Sequence, residues 1–242
     1  MLPLPPEREP AHTTSSPGSS RGLTAQLRQA AQPLWDRQRE HPFVVALGNG
    51  TLPRDRFEFY IRQDARFLGE LTRIFAYAVT KSGDLGDMEE FGKLLLNTLT
   101  VERALHDEYA RTFGVTPEEM AATPMAPTNY AYTRHLLAIA ANGTLAEVVT
   151  STMPCALIYA EVGQHLVAGS PPAPEHPYVD WLSTYASPDF DAVGIWLTNW
   201  LDTHAEALRP EEIARLRDIF VTSTRYEWLF WQMAWTLEEW PS

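Results

Sequence analysis

Between Phe57 and Ala78 the chain repeats one pattern that only a helix with a single buried face satisfies. Phe57, Tyr60, Phe67, Leu71, Ile74 and Ala78 follow one another in steps of three and four, with Asp64 at the one place in the series where a further core residue belongs. The same alternation runs through Ile213, Leu216, Phe220, Ser223, Glu227, Phe230, Ala234 and Leu237. It recurs in Val148, Ser151, Cys155, Tyr159, Val162 and Leu166. No stretch shows a convincing strand alternation. Helices of this kind must bury their stripes against one another, so the chain is all-α, a compact helical bundle with short, turn-rich loops.

Punctuation divides the pattern. A helix is expected over residues 23–40, kinked at Pro33. His41-Pro42-Phe43 stops and restarts the chain, and His41 reads as a helix-end contact rather than a chemical group. Further helices are expected over 53–81, 88–113, 128–141, 176–185, 187–208 and 210–239. Thr116, Pro117 and the acidic pair after them start a short helix, and Thr144 with Glu147 forms a capping box ahead of the Cys155 helix. Residues 1–20 are rich in Pro, Ser, Thr and Gly and are expected to be a disordered tail. Residues 21–242 are then expected to form a single all-α domain, the chain length suiting one large domain or two small ones.

Charge and cysteine content narrow the partners. With 19 Lys and Arg against 31 Asp and Glu, the net charge is -12. An acidic chain without a basic patch argues against nucleic acid or an anionic membrane. A single cysteine excludes an intrachain disulfide framework and fits a reducing, cytoplasmic setting. No apolar run approaches the roughly 20 residues of a membrane span. The Met1-Leu2-Pro3-Leu4-Pro5-Pro6 start has neither a charged nor an apolar signal region.

The candidate chemistry sits where core residues belong. Asp64, Cys155 and Glu227 each occupy a buried stripe on a different helix, with tyrosines and phenylalanines one turn away. Pro154 precedes Cys155 inside a helix, and Ser151 and Tyr159 lie one turn to either side. Taken alone, Cys155 reads as a small core residue, and Asp64 as half of a buried ion pair or a cap. If the three stripes converge, a thiolate nucleophile and two carboxylates face a pocket walled by aromatic rings. Such a pocket suits a flat, electron-poor heterocycle. A serine-hydrolase motif, a P-loop and a GxGxxG run are absent.

These residues lie in stretches that resemble the TenA (thiaminase II) family. The stretches are His41-Pro42-Phe43, then Phe59-Tyr60-Ile61-Arg62-Gln63-Asp64, then Pro127-Thr128-Asn129-Tyr130-Ala131-Tyr132. They continue with Pro154-Cys155-Ala156-Leu157-Ile158-Tyr159-Ala160-Glu161-Val162-Gly163, Trp181-Leu182-Ser183-Thr184-Tyr185 and Tyr226-Glu227-Trp228-Leu229-Phe230-Trp231. The resemblance implies a haem-oxygenase-like bundle that binds no haem, needs no cofactor and assembles as a homotetramer. It implies hydrolysis of 4-amino-5-aminomethyl-2-methylpyrimidine to the hydroxymethyl pyrimidine for thiamin salvage, with cleavage of thiamin as a related activity. Carried over, Cys155 is the catalytic nucleophile and Glu227 the acid/base and ring-nitrogen partner. Asp64 binds the pyrimidine, and Tyr132, Tyr159, Tyr185 and Phe230 form the pocket. Phe67 stands where the family often has Tyr, which keeps a stacking face and loses a hydroxyl. Cys155 places the chain with the cysteine-bearing branch, since a second branch uses carboxylates instead.

Two other readings compete. A haem-oxygenase-like di-metal oxidase would use the one-turn pairs Glu102/His106 and Glu161/His165 with Asp64, although the usual bundle motif is spaced by three. Both pairs read more simply as structural hydrogen bonds, and no metal is expected. A non-catalytic pyrimidine-binding protein on the same scaffold is the second rival.

Overall fold

Each long series of threes and fours is a helix in the computed structural model, which describes residues 22–114, 116–169 and 172–241. The expected tail, residues 1–20, lies outside them. The helices are α1 (Leu23–Arg39), α2 (Pro42–Gly48), α3 (Arg54–Lys81), α4 (Leu85–Asn97), α5 (Arg103–Phe113), α6 (Pro117–Ala122), α7 (Pro127–Asn142), α8 (Leu145–Val167), α9 (Val179–Tyr185), α10 (Pro188–His204) and α11 (Pro210–Thr236). No strand occurs among the described residues.

Local chemistry sets these ends. His41 caps α2, its Nδ1 accepting from the Phe43 amide at 3.1 Å, which is the helix-end role expected of it. Capping boxes open α6 at Thr116 and Glu119 and α8 at Thr144 and Glu147. Leu237 adopts the left-handed conformation (φ 53°) that stops α11. Apart from shifts of a few residues at other helix ends, two features differ from the sequence reading. The helix expected over 88–113 is interrupted by a π turn, Thr98–Glu102, between α4 and α5. The helix expected from His176 starts at Val179 instead, because the His176 ring accepts from the Tyr178 amide and holds the segment before it as a turn.

α8 is the axis of the bundle, packed against α11, α10, α9, α7 and α3. It is also long and apolar enough to cross a membrane, with a mean hydropathy of 1.2, where the sequence reading expected no such stretch. Within the bundle 72% of that window is buried, so protein already meets its apolar surface. Upstream of Pro154, Ser151 donates to the Val148 carbonyl at 2.8 Å and Thr152 to the Val149 carbonyl at 3.1 Å. Pro154 has no amide hydrogen for the carbonyl one turn back, and the helix nevertheless continues through it to Cys155. At Gly163 an added Cβ would lie 2.5 Å from the Tyr185 carbonyl carbon and 2.7 Å from the Ala186 amide nitrogen. Only glycine lets α8 come this close to the end of α9.

Candidate active site

α3, α7, α8, α9 and α11 each bring part of the predicted set to one place. Asp64, Phe67, Tyr132, Cys155, Tyr159, Tyr185, Glu227 and Phe230 all line a single cavity of about 20 Å³. The three stripes therefore converge. Asp64 and Glu227 are 5% and 2% exposed, and Cys155 is half-buried at the cavity wall. Ser151 does not join them. It is fully buried and bonded back into its own helix.

Burial controls the electrostatics. The Glu227 carboxyl is pushed up from 4.5 to about 8, chiefly by burial. Its hydrogen bond from Tyr132 pulls in the other direction, and the nearby Asp64 charge adds to the rise. Glu227 is thus mostly protonated at neutral pH and can act as an acid. Tyr132 Oη donates to Glu227 Oε1 in a short contact. Burial raises the phenols of Tyr60, Tyr132 and Tyr159 well above 10, so all three stay neutral donors.

The walls are rings. Phe67 meets Tyr132 at 5.2 Å between centroids and Phe230 edge-on at 5.8 Å. Tyr159 and Tyr185 are 5.0 Å apart. Sequence reasoning assigned the site none of four further residues. Leu68 and Phe190 complete the lining. Behind it, Trp181 Nε1 donates to Tyr60 Oη at 3.3 Å, and Tyr60 Oη donates to Tyr159 Oη at 3.3 Å. That relay leaves the Tyr159 proton free to point at a ligand. Tyr60 was visible one turn before Asp64, and Trp181 one turn before Tyr185. Phe190 belongs to no periodic stripe.

α7 is held in register by Gln63, whose Nε2 donates to the Pro124 carbonyl at 3.0 Å. Its Oε1 accepts from the Ala126 amide at 2.9 Å and from Asn129 Nδ2 at 3.0 Å. These bonds fix the start of the helix that carries Tyr132.

Of the residues of the metal reading, Glu161 is engaged elsewhere. Glu161 takes both prongs of the Arg28 guanidinium, at 2.5 and 2.8 Å, and the Trp35 indole N–H at 2.9 Å. The Glu102 and His106 side chains lie outside the described residues. Among the described residues no three His, Cys, Asp or Glu side chains are grouped to hold a metal ion.

A helical bundle enclosing a thiol, a protonated carboxyl, a second carboxylate and an aromatic cage defines a small-molecule enzyme of the haem-oxygenase-like architecture. A domain of that fold from Shewanella denitrificans OS217 matches with a TM-score of 0.66 at 12% identity, covering 88% of this chain and 92% of that one, a likeness of fold alone. Residues 28–237 match the TENA/THI-4/PQQC family, and the chain belongs to it. A TenA homologue from P. horikoshii OT3 superposes with a TM-score of 0.81 at 31% identity, covering 89% of this chain and 99% of that one. The aminopyrimidine aminohydrolase of Halalkalibacterium halodurans is 40% identical over 219 residues, 90% of this chain and 97% of the relative. That of Helicobacter pylori is 38% identical over 209 residues, 86% and 96% respectively.

Proposed function

We infer that this protein is an aminopyrimidine aminohydrolase. It converts 4-amino-5-aminomethyl-2-methylpyrimidine and water to the hydroxymethyl pyrimidine and ammonia, in thiamin pyrimidine salvage. The observation that carries the reading is the meeting of Cys155, Asp64 and Glu227 inside one aromatic pocket, in a chain whose relatives bear that name.

The geometry supports a specific order of events. The ring stacks between the Phe67, Tyr132, Tyr159, Tyr185 and Phe230 side chains. Asp64 accepts from the ring's exocyclic amine. The Cys155 sulfur adds to the ring carbon beside the one bearing the aminomethyl group, and protonated Glu227 gives its proton to the ring nitrogen that gains charge. The proton given up by the thiol goes to the amine, and electrons from the now non-aromatic ring expel it from the methylene carbon as ammonia; a proton of the incoming water later restores the thiol. Water adds to that carbon, the carbon–sulfur bond breaks, Glu227 recovers its proton and aromaticity returns. Thiamin, whose thiazolium leaves from the same carbon, is a second substrate in this reading.

A homotetramer in a reducing cytoplasm belongs to the same reading. Leu85 and Leu96 on α4 and Ile195 on α10 supply exposed apolar surface for such an assembly. The lone half-buried thiol suits a compartment that keeps it reduced.

The test is a matched assay of wild type and Cys155→Ala on the aminomethyl pyrimidine, with thiamin as second substrate. Clear wild-type turnover is expected, with a loss of roughly a thousandfold or more in the variant. Full activity in the variant would return the cysteine to a packing role. A wild type that binds both compounds without turnover would favour the binding-protein reading.

A further inference from the structure

A second cavity, of about 340 Å³, lies against the first, and Cys155 and Phe190 line both. Its walls are mainly apolar, from Leu71 and Phe75 on α3, Leu94 on α4 and Val193 on α10, with the hydroxyl residues Thr152, Thr184 and Ser187 among them. Asn97 and Asp189 line it too and are exposed, so the chamber reaches solvent on that side. The π turn Thr98–Glu102 begins at the same wall, where Thr98 is a lining residue. Such turns within helices are frequent at functional sites.

The inner cavity has room for about one water molecule, so a bound pyrimidine ring has to widen it. Leu68 and Phe190 complete its lining, but only Phe190 also faces the outer chamber. The Phe190 backbone is held, its amide donating to the capping Ser187 hydroxyl at 3.2 Å. Its ring meets Tyr185 edge-on at 4.8 Å. Phe190 is the one aromatic side chain that lines both cavities.

Resting on the aminohydrolase reading, we propose that the outer chamber is a leaving-group subsite, with Phe190 as its inner partition. It admits aminomethylpyrimidines whose amine carries an apolar or aromatic substituent. The bond that breaks is one carbon removed from the ring atom that Cys155 attacks, and Cys155 stands in the wall between the cavities. With the ring held among Asp64, Glu227 and the aromatic walls, the departing amine has the outer chamber ahead of it. That chamber is far larger than ammonia requires. Its apolar walls suit a hydrocarbon substituent, and the Asp189 carboxylate at the rim attracts an alkylammonium product. The reaction balances as before. The methylene carbon–nitrogen bond breaks, the nitrogen leaves with the electron pair and takes a proton, and the oxygen of water replaces it on the methylene carbon.

The experiment compares 4-amino-5-aminomethyl-2-methylpyrimidine with its N-benzyl derivative. Both give the same hydroxymethyl product, read by chromatography. Wild type is expected to turn over the benzylamine substrate with a kcat/KM within about tenfold of the primary amine. Val193→Trp fills the chamber from α10, and Asn97→Trp does so from an exposed position. Each should lower kcat/KM for the benzyl substrate by about 30-fold or more while leaving the primary amine within about threefold. Melting curves check that both variants fold, and Asn97→Trp serves if Val193→Trp does not. A wild type that hydrolyses the primary amine but not the benzyl derivative overturns the subsite and leaves the aminohydrolase reading intact. Equal losses on both substrates overturn it as well. A wild type inert on both substrates overturns the aminohydrolase reading and the subsite with it.

Discussion

Replacing Glu227 by Gln should make the protein more stable, and only above a definite pH. In the folded protein the Glu227 carboxyl titrates at about 8, against 4.5 without its surroundings. Below pH 4.5 the group is protonated in both folded and unfolded chains and contributes no difference. Between 4.5 and about 8 the unfolded chain releases the proton while the folded chain keeps it, so wild-type stability falls as pH rises. Above about 8 both states are ionised and the loss is complete. That interval corresponds to about 5 kcal/mol as an upper limit, since one unit is about 1.4 kcal/mol. Gln has the same shape, keeps a carbonyl for the Tyr132 hydroxyl and does not ionise, so it escapes this term. Urea unfolding of wild type and Glu227→Gln from pH 4.5 to 9 should show curves that nearly coincide at the acid end. They should diverge with pH until the variant leads by several kcal/mol. Titrating groups that do not interact with Glu227 are common to both proteins and cancel, which leaves Glu227 and its coupling to Asp64. A difference in stability that does not change with pH would refute the argument, because it would mean that the buried carboxyl does not hold its proton.

Three further outcomes follow from the same contacts. Asp64→Asn removes a charge that helps raise Glu227, so a carbon-13 NMR titration of the Glu227 carboxyl should move to lower pH; an unmoved midpoint would show that the two groups are not coupled. Tyr132→Phe removes the hydrogen bond that lowers it, so the midpoint should move up, and the alkaline limb of kcat/KM should follow. Gly163→Ala drives a methyl group into the Tyr185–Ala186 backbone, which should lower stability by about 1–3 kcal/mol and raise KM as Tyr185 shifts; a fully stable variant with unchanged KM would mean that α8 and α9 separate freely.

The bundle and most of the pocket were legible because burial leaves a periodic trace. A carboxylate on an otherwise apolar stripe stands out, and Asp64 and Glu227 did so on α3 and α11. The residues that escaped notice are those for which periodicity carries no information. Phe190 lies in the first turn of α10 and is an ordinary aromatic by sequence. Its place between two cavities depends on the angle at which α9 hands over to α10. The π turn at Thr98–Glu102 is indistinguishable from continuous helix in the sequence because one extra residue in a turn leaves no compositional mark.

Ser151 shows how far one-turn spacing can be pushed. Four residues turn a helix by about 400°, so each such step drifts about 40° around the axis. From Ser151 to Cys155 to Tyr159 the drift adds up to about 80°. A pocket of this size spans two of those directions and not three. Cys155 and Tyr159 share the inner cavity, while Ser151 has rotated away and bonds to Val148. Thr152, three residues before the cysteine, lies only about 20° around the axis from Tyr159 but about 10 Å back along it, and it lines the outer chamber beside Cys155 and Ala156. Along the helix axis Cys155 therefore sits between the two cavities, lining both. Tyr159, one turn on, faces the ring's pocket, and Thr152, one turn back, faces the space into which a leaving group can pass. A nucleophile that must touch the ring and clear the departing amine needs a position with both exposures, and on α8 Cys155 has it.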